Sequence, residues 1–276
     1  MDGDTTAFAS VSMHWRDTIR FIQFPETLRP QFQALLEASW PPGIQAQKIC
    51  SAHDLEFKMR GTPFGLFDSK ETVDARRLLR DIFDFLWARG WKLVESLGHS
   101  RGKGTKDTLI FCHHHIHAGD RLVSAQPPLD WLILAMSSSD KLRIIRDRLR
   151  GEPDNTESSI ADELGGQLVP AIKAVLDGMC YFQGGQWTFD SYEFKLTGRP
   201  WAARDDEIGK SRVLLLQLLA ALHRLGWRSY ATVRCGTEGD DFKKPDTWFF
   251  VRPKDWVAGS PFNAEVDLSN WQETLT

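Results

Sequence analysis

The chain is poor in cysteine and carries almost no excess charge, and each shortage removes a class of protein. Among 276 residues there are four cysteines, Cys50, Cys112, Cys180 and Cys235. None forms a CxxC pair, so zinc held by cysteines is not signalled. Their positions do not correspond between the two halves set out below, as an inherited disulfide framework would require. Reduced thiols are therefore expected. A formal net charge of −3 lacks the basic excess of a general nucleic-acid binder. No apolar run approaches the roughly 20 residues of a membrane-crossing helix. The longest, Val213–Leu222, is interrupted by Gln217. The opening Met1-Asp2-Gly3-Asp4 has no apolar stretch of a secretory signal. A soluble, cytoplasmic protein without nucleic-acid or membrane partners is the expectation.

What is present is a long repetition. Leu55-Glu56-Phe57-Lys58-Met59-Arg60-Gly61-Thr62-Pro63-Phe64 returns as Tyr192-Glu193-Phe194-Lys195-Leu196-Thr197-Gly198-Arg199-Pro200-Trp201. Gly90-Trp91 returns as Gly226-Trp227, and Asp107-Thr108 as Asp246-Thr247. Upstream, Met13–Ile22 and Met136–Ile145 match at a shorter offset, so the second copy carries an insertion, placed in the breaker-rich segment near 150–160. The boundaries read as residues 1–125 for the first repeat, 126–258 for the second and 259–276 for a C-terminal tail. Eleven tryptophans are present. Trp91 with Trp227, and Phe64 with Trp201, are repeat-paired and read as packing residues. Trp15, Trp131, Trp256 and Trp271 have no such explanation.

Periodicity predicts the elements of each copy. Ala9–Met13 and Thr18–Phe24 read as a hairpin, Pro25–Trp40 as a helix ended by Pro41-Pro42, and Leu55–Met59 as a strand. Residues 71–89 form the clearest helix, with Ala75, Leu78, Leu79, Ile82, Phe83 and Leu86 at three- and four-residue steps and Gly90 as its stop. Lys92–Leu97 and Thr108–His113 close the unit as a hairpin. The second copy follows the same order. The fold class is α+β: a tandem duplication of a ββαβαββ unit, with antiparallel-rich sheets, helices on one face and a pseudo-twofold arrangement. The combination of Glu-Phe-Lys-x-x-Gly-x-Pro-aromatic, the leucine-rich helix, Gly-Trp and the Asp-Thr strand resembles a duplicated module of uncharacterised fungal and animal proteins. That resemblance implies the repeat and brings no activity.

Two groups of residues carry candidate chemistry. Alternation puts Glu56 and Lys58 on one strand face and Phe57 on the other, and likewise Glu193, Lys195 and Phe194. If the two sheets faced each other, these four charges would converge in a cleft between the repeats and bind a small molecule or a protein partner. The competing reading is a set of solvated cross-strand ion pairs. Separately, His113, His115 and His117 share one face of a strand. Two imidazoles at that spacing can chelate zinc or another divalent ion, completed by a carboxylate such as Asp120. The second copy has Val251-Arg252-Pro253 there instead, and no HExxH motif supports the site. The loop 98–105 is not a phosphate loop, because its glycines are spaced by three residues and it joins two strands. Arg76, Arg77 and Arg80, with Asp81 and Asp84, read as a solvated mixed-sign stripe on the outer face of the helix, and Arg76, matched by Arg212, as a structural clamp on Asp107 or Asp246. No Ser-His-Asp or Cys-His arrangement is signalled locally. A ligand- or partner-binding protein without a bound cofactor is the expected function, and a metal-dependent enzyme using the histidine tract is the alternative.

Overall fold

A computed structural model describes residues 5–51, 53–65, 70–97, 105–115, 126–146, 167–233 and 247–258. The first unit runs β1 (Thr5–His14), β2 (Thr18–Ile22), α1 (Arg29–Ser39), β3 (Ile44–Ser51), β4 (Asp54–Met59), α2 (Lys70–Trp87), β5 (Lys92–Leu97) and β6 (Thr105–His115). The second runs β7 (Leu129–Ser137), β8 (Lys141–Arg146), α3 (Leu168–Gly178), β9 (Phe182–Thr188), β10 (Ser191–Leu196), α4 (Glu207–Arg224), β11 (Arg228–Val233) and β12 (Thr247–Pro253). Each unit makes one six-stranded sheet, all antiparallel, ordered β3-β4-β2-β1-β6-β5 in the first and β9-β10-β8-β7-β12-β11 in the second. Position by position the two orders are the same, so the duplication extends to topology.

The expected ββαβαββ order omits one strand per copy, β3 and β9. Both are edge strands, and β3 is exposed along nearly its whole length. With only one neighbour and no buried face, their sequences carry no apolar alternation to announce them. The expected insertion near 150–160 and the tail 259–276 lie outside the described residues.

Repeated motifs mark repeated stops and staples. Gly90 (φ +80°) and Gly226 (φ +81°) sit just past α2 and α4 in the left-handed region. The amides of the tryptophans that follow donate to Leu86 and Leu222 carbonyls five residues back, the bond that closes a Schellman-type helix end. The Glu-Phe-Lys motif ends against the hairpin turn of its own unit. Met59 N donates to Asp17 O and Phe64 N to Arg16 O, while Leu196 N donates to Asp140 O and Trp201 N to Ser139 O.

The two units do not meet about a twofold axis. Val11, Phe21, Phe57 and Phe111 of the first sheet pack with α1 and α2 in one core. That same core includes Trp131, Ile133, Ala135, Phe249 and Val251 of the second sheet. The alternate residues of the second sheet, among them Leu132, Leu134, Ile144, Phe194 and Phe250, pack with α3 and α4 in a separate core. The order is therefore sheet, helix layer, sheet, helix layer. A twofold axis would bring like faces together, whereas here the helix face of unit one meets the back of the sheet of unit two. The cause is the second sheet's apolarity on both faces, which forces burial on both sides. At one edge the sheets also touch, and Ser96 Oγ donates to Thr232 O at 2.9 Å.

Helix α2 lies between the two sheets and is buried nearly all round. Phe83 is at its centre, within 6.3 Å of Phe111 in the first sheet and 4.9 to 6.1 Å of Phe249, Tyr230 and Trp131 in the second. Polar groups on the same side find partners across the interface. Trp131 Nε1 donates to Asp84 at 2.9 Å, Arg76 Nε to Thr247 Oγ1 at 3.1 Å and an Arg77 guanidinium nitrogen to Asp190 O at 2.8 Å. The arginine stripe is thus an internal interface. Arg76 does act structurally, through the threonine that follows Asp246.

Candidate functional site

The four charges of the repeated Glu-Phe-Lys motif are not brought together. Glu56 and Lys58 lie on the outer face of the first sheet. Glu193 and Lys195 lie on the face of the second sheet turned toward α2, with the helix layer between the two sets. Their partners are the same in both copies. Glu56 accepts from Arg20 at 2.5 Å, and Lys58 is 3.8 Å from Asp17. Glu193 is bonded by Arg143 and lies 3.0 Å from Lys141, while Lys195 pairs with Asp140. Arg20 faces Glu56 and Arg143 faces Glu193 as directly opposed strand residues. Each motif is therefore a cross-strand ion pair, the arrangement weighed against convergence.

Environment separates the copies. The Arg20 and Glu56 side chains are partly solvated, whereas Arg143 and Glu193 are 1% and 4% exposed. Burial alone would raise the Asp140 carboxyl. Hydrogen bonds to Lys195 and Ser138, with the charges of Lys195 and Lys141, outweigh it and hold the group below its ordinary range. On the outer sheet, His14 lies 2.9 Å from Ser12 Oγ, and burial followed by the Arg20 charge pushes its pKa down against the opposing pull of Glu56.

Of the histidine tract, only the His113 side chain is described. It packs beside Trp91, with ring centroids 5.2 Å apart, and against Gly90, on the helix-covered face of β6. His115 ends β6 opposite Thr5, and His117 and Asp120 lie outside the described residues. Among the described residues no group of three or more His, Cys, Asp or Glu side chains is placed to hold a metal.

Cysteine chemistry divides by burial. Cys50 and Cys180 are exposed and Cys112 is fully buried. Burial pushes the Cys112 thiol up to about 11, slightly opposed by Lys92. Alkylation of the native protein followed by peptide mapping should label Cys50 and Cys180 and spare Cys112 until denaturant is added. Equal native labelling of Cys112 would contradict its burial.

Among the described residues of the second unit, two concavities stand out. One, of about 640 Å³, lies at the start of α4 between Tyr181, Gly198, Arg199, Arg204 and Glu207. Its two arginines lie beside three carboxylates, Glu207 in its lining and Asp205 and Asp206 in the adjoining turn, so the mixed charges give no strong field of one sign to select an ion. The other, of about 550 Å³, is a groove between α3 and α4 lined by Ala171, Ala174, Val175, Val213 and Ala221, with Arg224 at its end. Beside it Val213 and Leu216 are 46% and 64% exposed. Counting back through the repeat, Val213, Leu216 and Ala220 occupy the places of Arg77, Arg80 and Asp84 on α2. At these three places the covered helix carries charge and the uncovered one carries apolar side chains, with Lys210, Gln217 and Arg224 exposed around them. Sequence reading passed over this surface. Its signal was the Val213–Leu222 run, apolar on more faces than one sheet can cover.

Taken together, fold and site define a tandem-duplicated antiparallel α+β protein in which, among the described residues, one helix layer is left uncovered by a sheet. A family profile for a domain of uncharacterised type matches the chain in two segments, residues 7–112 and 130–251. The chain belongs to that family. No curated protein and no solved structure matches it.

Proposed function

We propose that this is a protein-binding module whose docking surface is the outer face of α3 and α4, and whose partner is a folded protein presenting an apolar β-sheet face. The observation that carries this reading is the precedent inside the chain. The equivalent face of α2 is covered by a sheet through Trp131, Ile133 and Phe249, while Val213, Leu216 and Ile208 on α4 stay exposed. Large apolar side chains exposed together on one helix are a mark of interaction sites. The ligand cleft moves accordingly from the junction of the repeats to the outside of the second one.

A photo-crosslinking residue, Leu216→p-benzoylphenylalanine, incorporated in cells is expected to give a discrete crosslinked product. The same residue at Glu37, exposed on α1, is expected to give none. Adding Val213→Lys should remove the product. Indistinguishable backgrounds at positions 216 and 37 would overturn the reading.

A further inference from the structure

The chain contains one solved example of how its helix face is covered, and that example can be transposed. In the internal interface, Trp131 of β7 stacks on Phe83 of α2 and donates its indole N–H to Asp84. Beside it lie Ile133 and Phe249, directly opposed residues of β7 and β12. Register assigns each a counterpart on the outer face of the first sheet. Phe8 pairs with Cys112 as Trp131 pairs with Val251, and Ser10 pairs with Ile110 as Ile133 pairs with Phe249. Phe8 is 57% exposed at the middle of that sheet, and Val94 is 41% exposed on the nearby edge strand.

The changes on the two faces match. Where the internal contact sets an indole N–H against a carboxylate, the free surfaces carry Phe8, which has no donor, and Ala220, which has no acceptor. Phe83 is replaced by Leu219, and Arg77 and Arg80 by Val213 and Leu216. The donor lost at Phe8 is matched by the acceptor lost at Ala220, so that pair leaves no unsatisfied buried group, while Ser10 sets a small hydroxyl where Ile133 packs on the internal face. The Arg20–Glu56 pair on the outer sheet is no obstacle. Its counterpart, Arg143–Glu193, is buried on the corresponding face of the second sheet.

We propose that the partner of the α3–α4 face is a second copy of this chain, docking the outer face of its β1–β6 sheet, centred on Phe8, against Leu216. The inference rests on the reading of that face as a docking surface. The contact is heterologous, since two different surfaces meet, so it repeats rather than closing as a twofold dimer. A third unit follows the second just as the second follows the first, across a gap between chains.

Sedimentation of the full chain over a range of micromolar concentrations tests this. The weight-average mass should rise with concentration to about twice the 31.5 kDa of one chain or beyond, as open-ended association requires. Phe8→Glu and Leu216→Glu should each remain monomeric. An equimolar mixture should recover a dimer and nothing larger, because each variant keeps one intact face. That recovery also shows that both variants are folded, and Ile110→Thr with Val213→Lys should behave as a second such pair. Three results overturn the proposal: wild type monomeric throughout, Phe8→Glu associating like wild type, or a mixture that stays monomeric. If position 216 still crosslinks to a different protein in any of these cases, the docking surface stands and only the identity of its occupant falls.

Discussion

Replacing Glu193 with alanine is expected to destabilise the protein by about 3–5 kcal/mol, the cost of leaving a buried charge without its partner. The identical change at Glu56 is expected to cost less than about 1 kcal/mol, as for exposed pairs. Both residues sit in the same motif, oppose an arginine in the same register and belong to the same position of a duplicated sheet. They differ in the 1% exposure of Arg143 against the partly solvated Arg20. In the alanine variant at 193, Lys141 and Arg143 both lose the carboxylate that they share. Chemical denaturation of the two variants checks the contrast directly. Equal losses would mean that burial does not separate the copies, and the layer order would have to be wrong.

Phe83→Ala should be nearly as damaging, at about 3–5 kcal/mol for an aromatic removed from a closed core. Its ring is the point at which Phe111 from one sheet and Trp131, Tyr230 and Phe249 from the other are held to a single helix. The cavity would open between the units rather than inside either. The expected readout is therefore a fall in denaturation midpoint together with loss of a single shared transition. The corresponding change on α4, Leu219→Ala, removes a residue that is only partly buried and should cost markedly less. A Phe83→Ala protein as stable as wild type would exclude α2 as the shared element.

Much of the unit was legible because its signals are local. The three- and four-residue apolar steps of α2, the Gly-Trp stops and the hairpin turns at Asp17 and Asp140 each depend on neighbours within a few residues. The duplicated spelling showed that the second copy would follow. The edge strands β3 and β9 were not legible, because a strand with no buried face needs no apolar pattern. The arginines of α2 suggested solvent, since charge on a helix face usually means exposure. Here Arg77 and Arg80 keep local contacts with Asp74 and Asp81, but Arg76 and Arg77 also reach Thr247 and Asp190, more than a hundred residues away. One signal for the stacking does lie in the sequence. Trp131–Met136 is apolar at consecutive positions, as in a strand covered on both faces, while its counterpart alternates serine with apolar residues through Ser10 and Ser12.

By itself, then, the amino-acid order determined that two like units exist, which residues turn inward within each, and where each helix stops. Helical period, strand alternation and glycine's access to positive φ act over a few residues and need no knowledge of the rest of the chain. Only the tertiary structure decided that the units stack face to back, that one Glu–Arg pair is buried while its twin meets water, and that the apolar side of α4 is left uncovered. Those outcomes depend on which surface lies against which, and a surface is assembled from strands far apart in the chain.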